Sequence, residues 1–180
     1  MKRILVLLFV SSSLFLGCKH SNEPATKAIE ANNAPESVFF LVRHSEKASE
    51  DDDPPLTELG KRRSETLARV LRGAGIDHIH SSDYIRCRDT AAPLSRELGV
   101  EVKIYDPGDL PAFAKKLTNT PGRHLVVGHS NTTPELARLL GGDGGSDISS
   151  DEYDRLYVLT QRAGSSPTTV LLRVQPDEVR

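Results

Sequence analysis

Val38-Phe39-Phe40-Leu41-Val42-Arg43-His44-Ser45-Glu46, the stretch VFFLVRHSE, decides how the rest of the chain is read. Five consecutive apolar residues, β-branched and aromatic among them, fit a strand buried on both faces, the habit of parallel sheets covered by helices. Arg43 and His44 then stand at the strand's C-terminal end, where open α/β sheets form the crevice that binds ligands. The pattern returns at His124 to Ser130, HLVVGHS, a second short apolar strand ending in a histidine. His44 and His129 are therefore expected to face each other across one crevice.

Working outward, helical and strand patterns alternate. Thr57 suits an N-cap, with Leu67, Val70, Leu71 and Ala74 on one helical face before Gly73 and Gly75. Ile76 to His80 reads as a strand and Tyr84 to Leu98 as a helix, in which Pro93 is expected to cause a kink or a restart. Val100 to Tyr105 reads as strand and Asp109 to Leu117 as helix, while Thr133-Pro134 marks a helix start and Gly141-Gly142 its end. Leu156 to Thr160 and Thr168 to Val174 read as a hairpin at the sheet edge, turning around Gly164 to Pro167. The alternation predicts an α/β fold: three layers, α/β/α, with a mostly parallel central sheet flanked by helices.

At the N-terminus, Lys2 and Arg3 precede an apolar run from Ile4 to Leu16, interrupted only by serines, and then Gly17-Cys18. A basic start, a short apolar segment and a small residue describe an export signal over 1–17. Phe15-Leu16-Gly17-Cys18 resembles the bacterial lipobox, which makes Cys18 the expected lipidation site and a lipid anchor the expected link to a membrane. Residues 18–36, without apolar periodicity and with two prolines, are expected to form a flexible tether, leaving 37–180 as the catalytic domain. The net charge of −2 argues against a nucleic-acid partner. With Cys18 lipidated, Cys87 has no partner, so no disulfide framework is implied.

The charged residues delivered to strand ends and helix starts are Arg43, His44, Arg86 and His129. Arg86 falls in a first helical turn, where free backbone N–H groups already favour an anion, and a guanidinium adds bidentate recognition of phosphate oxygens. A neutral imidazole has a lone pair able to attack phosphorus. One histidine would thus be a nucleophile forming phosphohistidine, while the arginines and the second histidine, if protonated, would neutralise the equatorial oxygens.

RHSEK after the apolar strand, LTELG downstream, SSDYIRCRDTA and VVGHSNTTP resemble, in that order, the landmarks of the histidine phosphatase superfamily, with its phosphoglycerate-mutase-like fold. The resemblance runs from about Val38 to Gly142. It implies a mostly parallel sheet flanked by helices, no metal and no cofactor. It also implies that His44 is the phosphorylated residue and that Arg43, Arg86 and His129 complete the phosphate pocket. Ser45 stands where many members have glycine; the family uses the backbone carbonyl there to hold the nucleophile's other nitrogen, which serine also supplies. Members often carry an acidic proton donor between the arginine and the second histidine. Asp106 and Asp109, in YDPGDLP, are the candidates, with Glu46 a third. The chain lacks the large insertions of phytase-like members, so a small or open pocket is expected.

These readings predict a phosphatase that hydrolyses phosphomonoesters through a phosphohistidine on His44. The alternatives are a non-catalytic envelope module that binds phosphate compounds, or a phosphomutase. The expected partners are a phosphorylated small molecule or envelope component and the membrane holding the anchor. Arg88 reads as a surface charge; Asn131 and Thr132 either shape a turn or touch phosphate through backbone amides. His20, His78, His80 and His124 show no metal-ligand spacing. Asp51 to Asp53 reads as a solvated loop and Cys87 as buried packing.

Overall fold

The computed structural model describes residues 36–162 and 164–176. The export signal, Cys18 and His20 lie outside the described residues, as does the tether but for Glu36, which already belongs to the first strand. β1 spans Glu36–Arg43, followed by α1 (Glu58–Leu71), β2 (His78–Ser82), α2 (Ile85–Leu98), β3 (Val102–Tyr105) and α3 (Leu110–Thr118). β4 (Arg123–Gly128), α4 (Thr132–Leu139), β5 (Arg155–Arg162) and β6 (Thr168–Arg173) complete the order. One six-stranded sheet runs β3-β2-β4-β1-β5-β6. The pairs β3/β2, β2/β4 and β4/β1 are parallel; β1/β5 and β5/β6 are antiparallel. The predicted mostly parallel sheet and the edge hairpin are both present.

β1 is apolar from Val38 to Val42 because it lies mid-sheet with helices on both faces. Val38, Phe40 and Val42 pack with Leu67 and Leu71 of α1 and Ala91 and Leu94 of α2. Phe39 and Leu41, facing the other way, pack with Phe113 and Leu117 of α3 and Leu136 of α4. Complete burial of side chains such as Phe39 and Leu41 contributes about 1.5–3 kcal/mol each.

Pro93 lies inside α2 and is buried, and the helix continues through it to Leu98, where Gly99 in the left-handed region ends it. Packing of Ala91 and Leu94 against the sheet outweighs the missing N–H, so the expected restart does not occur. α4 starts at Thr132, earlier than predicted, and Thr133 does not cap it: its hydroxyl donates to the Val42 carbonyl at 3.2 Å. Gly60 in LTELG is required by close approach, since a Cβ there would stand 2.5 Å from the Glu46 carbonyl oxygen. That contact sets α1 against the segment leaving β1.

Candidate active site

Parallel registry brings the two predicted histidines together. Arg43 pairs with Gly128 across β1 and β4, so the next residues, His44 and His129, emerge side by side. The bond from His44 N–H to the Gly128 carbonyl, 2.9 Å, extends the ladder one step past the strand end. Ser82 and Tyr105 end β2 and β3 in the same row, which brings Asp106 to the same edge. The imidazole centroids of His44 and His129 are 5.5 Å apart, edge to face.

His44 is buried, and its Nδ1 lies 2.7 Å from the Ser45 carbonyl. A carbonyl only accepts, so Nδ1 carries the proton and Nε2 the lone pair. Burial, reinforced by Arg43, His129 and Arg86, lowers the His44 pKa to about 3 against the opposing Ser45 hydrogen bond. The ring is therefore neutral at physiological pH. Ser45 is held in turn: its N–H donates to Thr90 Oγ1 at 2.9 Å, and its hydroxyl lies 3.0 Å from that of Ser64, which itself donates to the Gly60 carbonyl.

His129 Nε2 lies 2.9 Å from Ser82 Oγ, and Tyr84 stands edge-on to its ring at 4.9 Å. Burial, Arg86 and Arg43 lower its pKa to about 4. The expectation of a protonated second histidine is thus not met by the protein alone, because two neighbouring cations disfavour a third; a phosphate dianion between them would offset that penalty.

Each arginine is stacked on a tyrosine. The Arg43 guanidinium lies 3.9 Å above the Tyr153 ring and that of Arg86 4.3 Å above Tyr84. Arg43 Nη1 donates to the carbonyls of Ser149, Ser150 and Glu152 at 2.8, 3.0 and 2.8 Å. Arg86 Nη1 donates to the Asp52 carbonyl at 3.1 Å and pairs with Asp53 at 3.6 Å. The acidic loop is therefore more than solvated, since Asp53 also caps α2 by accepting from the Ile85 N–H at 2.8 Å. The Nε atoms of both arginines are buried without a hydrogen-bond partner. Buried donors of that kind carry a desolvation cost that a bound oxyanion would relieve.

Arg43, His44, Tyr84, Arg86 and His129 line a cavity of about 610 Å³, together with Lys47, Asp106 and Asn131. Asp106 is the single carboxylate among its described lining residues; its Oδ1 accepts from the Gly108 N–H at 2.8 Å. Asp109 is not in that lining. Its carboxylate caps α3, accepting from the Ala112 N–H at 3.1 Å, which corrects its reading as a proton donor. Glu46 is also excluded as an acid, because Arg63 grips both its oxygens, at 2.6 to 3.1 Å. Thr132 shapes the turn, its hydroxyl accepting from the His129 N–H at 2.9 Å, and Asn131 makes no capping bond; both border the cavity. Arg88 is a surface charge paired with Asp83. Cys87 is buried with its thiol pushed up to about 11 by burial.

Residues 39–107 match the model of the histidine phosphatase superfamily, branch 1. A curated relative, the probable phosphoglycerate mutase GpmB of Yersinia enterocolitica serotype O:8 / biotype 1B, is 36% identical over 75 residues, covering 38% of this chain and 34% of the relative. The chain thus spans about a third of the length of the curated relatives it matches. Among solved structures, the protein histidine phosphatase SixA complexed with tungstate has a TM-score of 0.62 at 20% identity, covering 76% of this chain and 96% of that one. A mycobacterial glucosyl-3-phosphoglycerate phosphatase has a TM-score of 0.60 at 17% identity, covering 79% and 100%. The histidine phosphatase fold predicted from the four motifs is the fold observed.

Several contributions to the site were absent from the sequence reading: Lys47, Tyr84, Tyr153, the carbonyls of Ser149 to Glu152, and the anchoring of Arg86 by Asp52 and Asp53. Tyr84 reads only as the start of a helix, and nothing local marks Tyr153. The remaining described histidines gather elsewhere. His80 Nε2 lies 3.2 Å from His124 Nδ1, and His124 Nε2 donates to the Thr120 carbonyl at 2.9 Å. The His78 ring is 4.7 Å from that of His124. Among the described residues, no group of three or more His, Cys, Asp or Glu is placed to hold a metal ion.

Proposed function

We propose that this domain is a phosphatase that hydrolyses phosphomonoesters through a phosphohistidine on His44. The observation that supports this best is a neutral imidazole, its Nδ1–H held and its Nε2 carrying the lone pair, beside two guanidinium groups whose buried Nε–H donors have no partner. His44 Nε2 attacks phosphorus and the bond from phosphorus to the ester oxygen breaks. Asp106 gives its proton to the leaving oxygen. Water then attacks the phosphohistidine, passing a proton to the Asp106 carboxylate as the P–O bond forms and the bond from phosphorus to Nε2 breaks, which releases inorganic phosphate with His44 and Asp106 regenerated. Arg43, Arg86 and His129 hold the equatorial oxygens, His129 taking up a proton as the dianion binds. Incubation with p-nitrophenyl phosphate, alongside His44→Ala, tests the reading. Turnover by the wild type only, with radiolabel trapped in an acid-labile, base-stable form, is the expected result; equal rates for both proteins refute it.

The substrate is proposed to be a phosphorylated small molecule or envelope component met outside the cytoplasm. Support comes from the basic start at Lys2-Arg3, the apolar run to Leu16 and the Phe15-Leu16-Gly17-Cys18 motif. Lipid labelling that survives Cys18→Ser would reject the anchor.

A further inference from the structure

A second cavity, of about 590 Å³, adjoins the phosphate cavity, with Pro107, Ser130, Asn131 and Thr132 lining both. Leu110, Pro134 and Ile148 give it apolar surface. Its charged residues are Glu135, Arg138 and Asp147. Arg138 is already engaged: it pairs with Glu135 at 3.6 Å and donates to the Gly145 carbonyl at 2.8 Å. The Asp147 carboxylate makes no hydrogen bond or ion pair among the described residues, although its backbone carbonyl is tied to Arg155 at 3.0 Å. The charge balance therefore reverses from one cavity to the next. Arg43, Lys47 and Arg86 outnumber Asp106 in the first, and two carboxylates outnumber one committed guanidinium in the second.

We propose that this second cavity receives the leaving group of the substrate and selects one that is cationic with some apolar surface, Asp147 being the specificity-determining carboxylate. The inference rests on the phosphatase reading of the adjoining site. A leaving group anchored by its phosphate among the arginines would place its far end beside Asp147 and Glu135. A positive group there gains Coulomb attraction without displacing an existing partner of Asp147, and a carboxylate there meets repulsion. The substrate class is thus a bipolar phosphomonoester, an amino or quaternary ammonium alcohol phosphate, and not a phosphorylated hydroxy acid.

Three substrates of similar size with leaving groups of charge +1, 0 and −1 test this: phosphocholine, glycerol 3-phosphate and 3-phosphoglycerate, each with wild type, Asp147→Asn and Asp147→Lys. For wild type, kcat/KM should fall in that order by about tenfold overall, the scale of a single nearby charge contact. Asp147→Lys should narrow or invert the spread and Asp147→Asn should lie between, which keeps the test decisive if the lysine variant folds poorly. A phosphocholine to 3-phosphoglycerate ratio that is the same in wild type and variants overturns the proposal, as does wild-type preference for 3-phosphoglycerate. Hydrolysis of none of the three, nor of p-nitrophenyl phosphate, by wild type defeats the phosphatase reading itself, an outcome distinct from turnover with an unchanged ratio.

Discussion

Replacing His80 and His124 together by glutamine should flatten the dependence of stability on pH. In the folded chain His124 Nε2–H is committed to the Thr120 carbonyl, so its Nδ1 must accept the proton of His80 Nε2. A further proton on His124 would set two N–H groups against each other. Burial, with His124, His78 and nearby lysines, lowers the His80 pKa to about 3; burial chiefly lowers that of His124 to about 4. The unfolded chain takes up these protons as the pH falls through about 6.5, and the folded chain refuses them for another two units or more. Stability that is fully present above pH 6.5 is therefore lost progressively as the pH falls, to about 4 for the His124 share and about 3 for the His80 share. Each such histidine contributes a slope of about 1.4 kcal/mol per pH unit, so the pair contributes about 2.7 kcal/mol per unit around pH 5. Both proteins retain His44 and His129, whose contributions cancel in the comparison. Urea denaturation at a series of pH values between about 5.5 and 4.5 gives the two slopes. If they coincide, the buried imidazole pair is not what makes the domain acid-sensitive, and the reasoning fails.

Asp106→Asn should lower kcat for alkyl phosphates by about 10²-fold and spare p-nitrophenyl phosphate, whose leaving group needs no proton; an equal loss on both would remove Asp106 as the donor. Asp109→Ala should instead cost about 1 kcal/mol of stability with kcat intact, read by denaturant titration beside a rate assay. Arg155→Met removes a buried guanidinium that binds Glu152, the Ser146 and Asp147 carbonyls and the Tyr157 hydroxyl. It should destabilise by about 3–5 kcal/mol and lower kcat/KM, because Arg155 shapes the loop whose carbonyls hold Arg43; full activity in a destabilised protein would uncouple the two. Gly60→Ala should cost about 1–3 kcal/mol through its collision with the Glu46 carbonyl, and an unchanged urea midpoint would contradict that contact.

The strands and helices that carry His44 and His129 could be read because each announces itself within a few residues: an apolar run, a cap, a glycine. Their meeting could also be foreseen, since parallel strands deliver their C-terminal ends to one edge. What holds Arg43 was not legible. Its three carbonyl acceptors come from residues more than a hundred positions away, in a segment whose serines and acids read only as loop. Asp109 and Asp106 were indistinguishable in YDPGDLP, because choosing between a helix cap and a cavity wall requires knowing which way the chain turns after β3. His78 and His80, two apart, could be assigned to one face of a strand, but His124 joins them only through the β2/β4 register.

The position of β1 has a consequence for synthesis. Its neighbours in the sheet are β4 and β5, so as the nascent chain leaves the ribosome, VFFLV waits unpaired until at least residue 128 has been made. For that interval the most apolar segment of the described chain is an open edge of the sort that seeks other strands, and a holding chaperone would have most to do there. The loop that fixes Arg43 arrives later still, so a ribosome-bound fragment ending before residue 149 would lack a finished phosphate pocket, however well its early strands were formed.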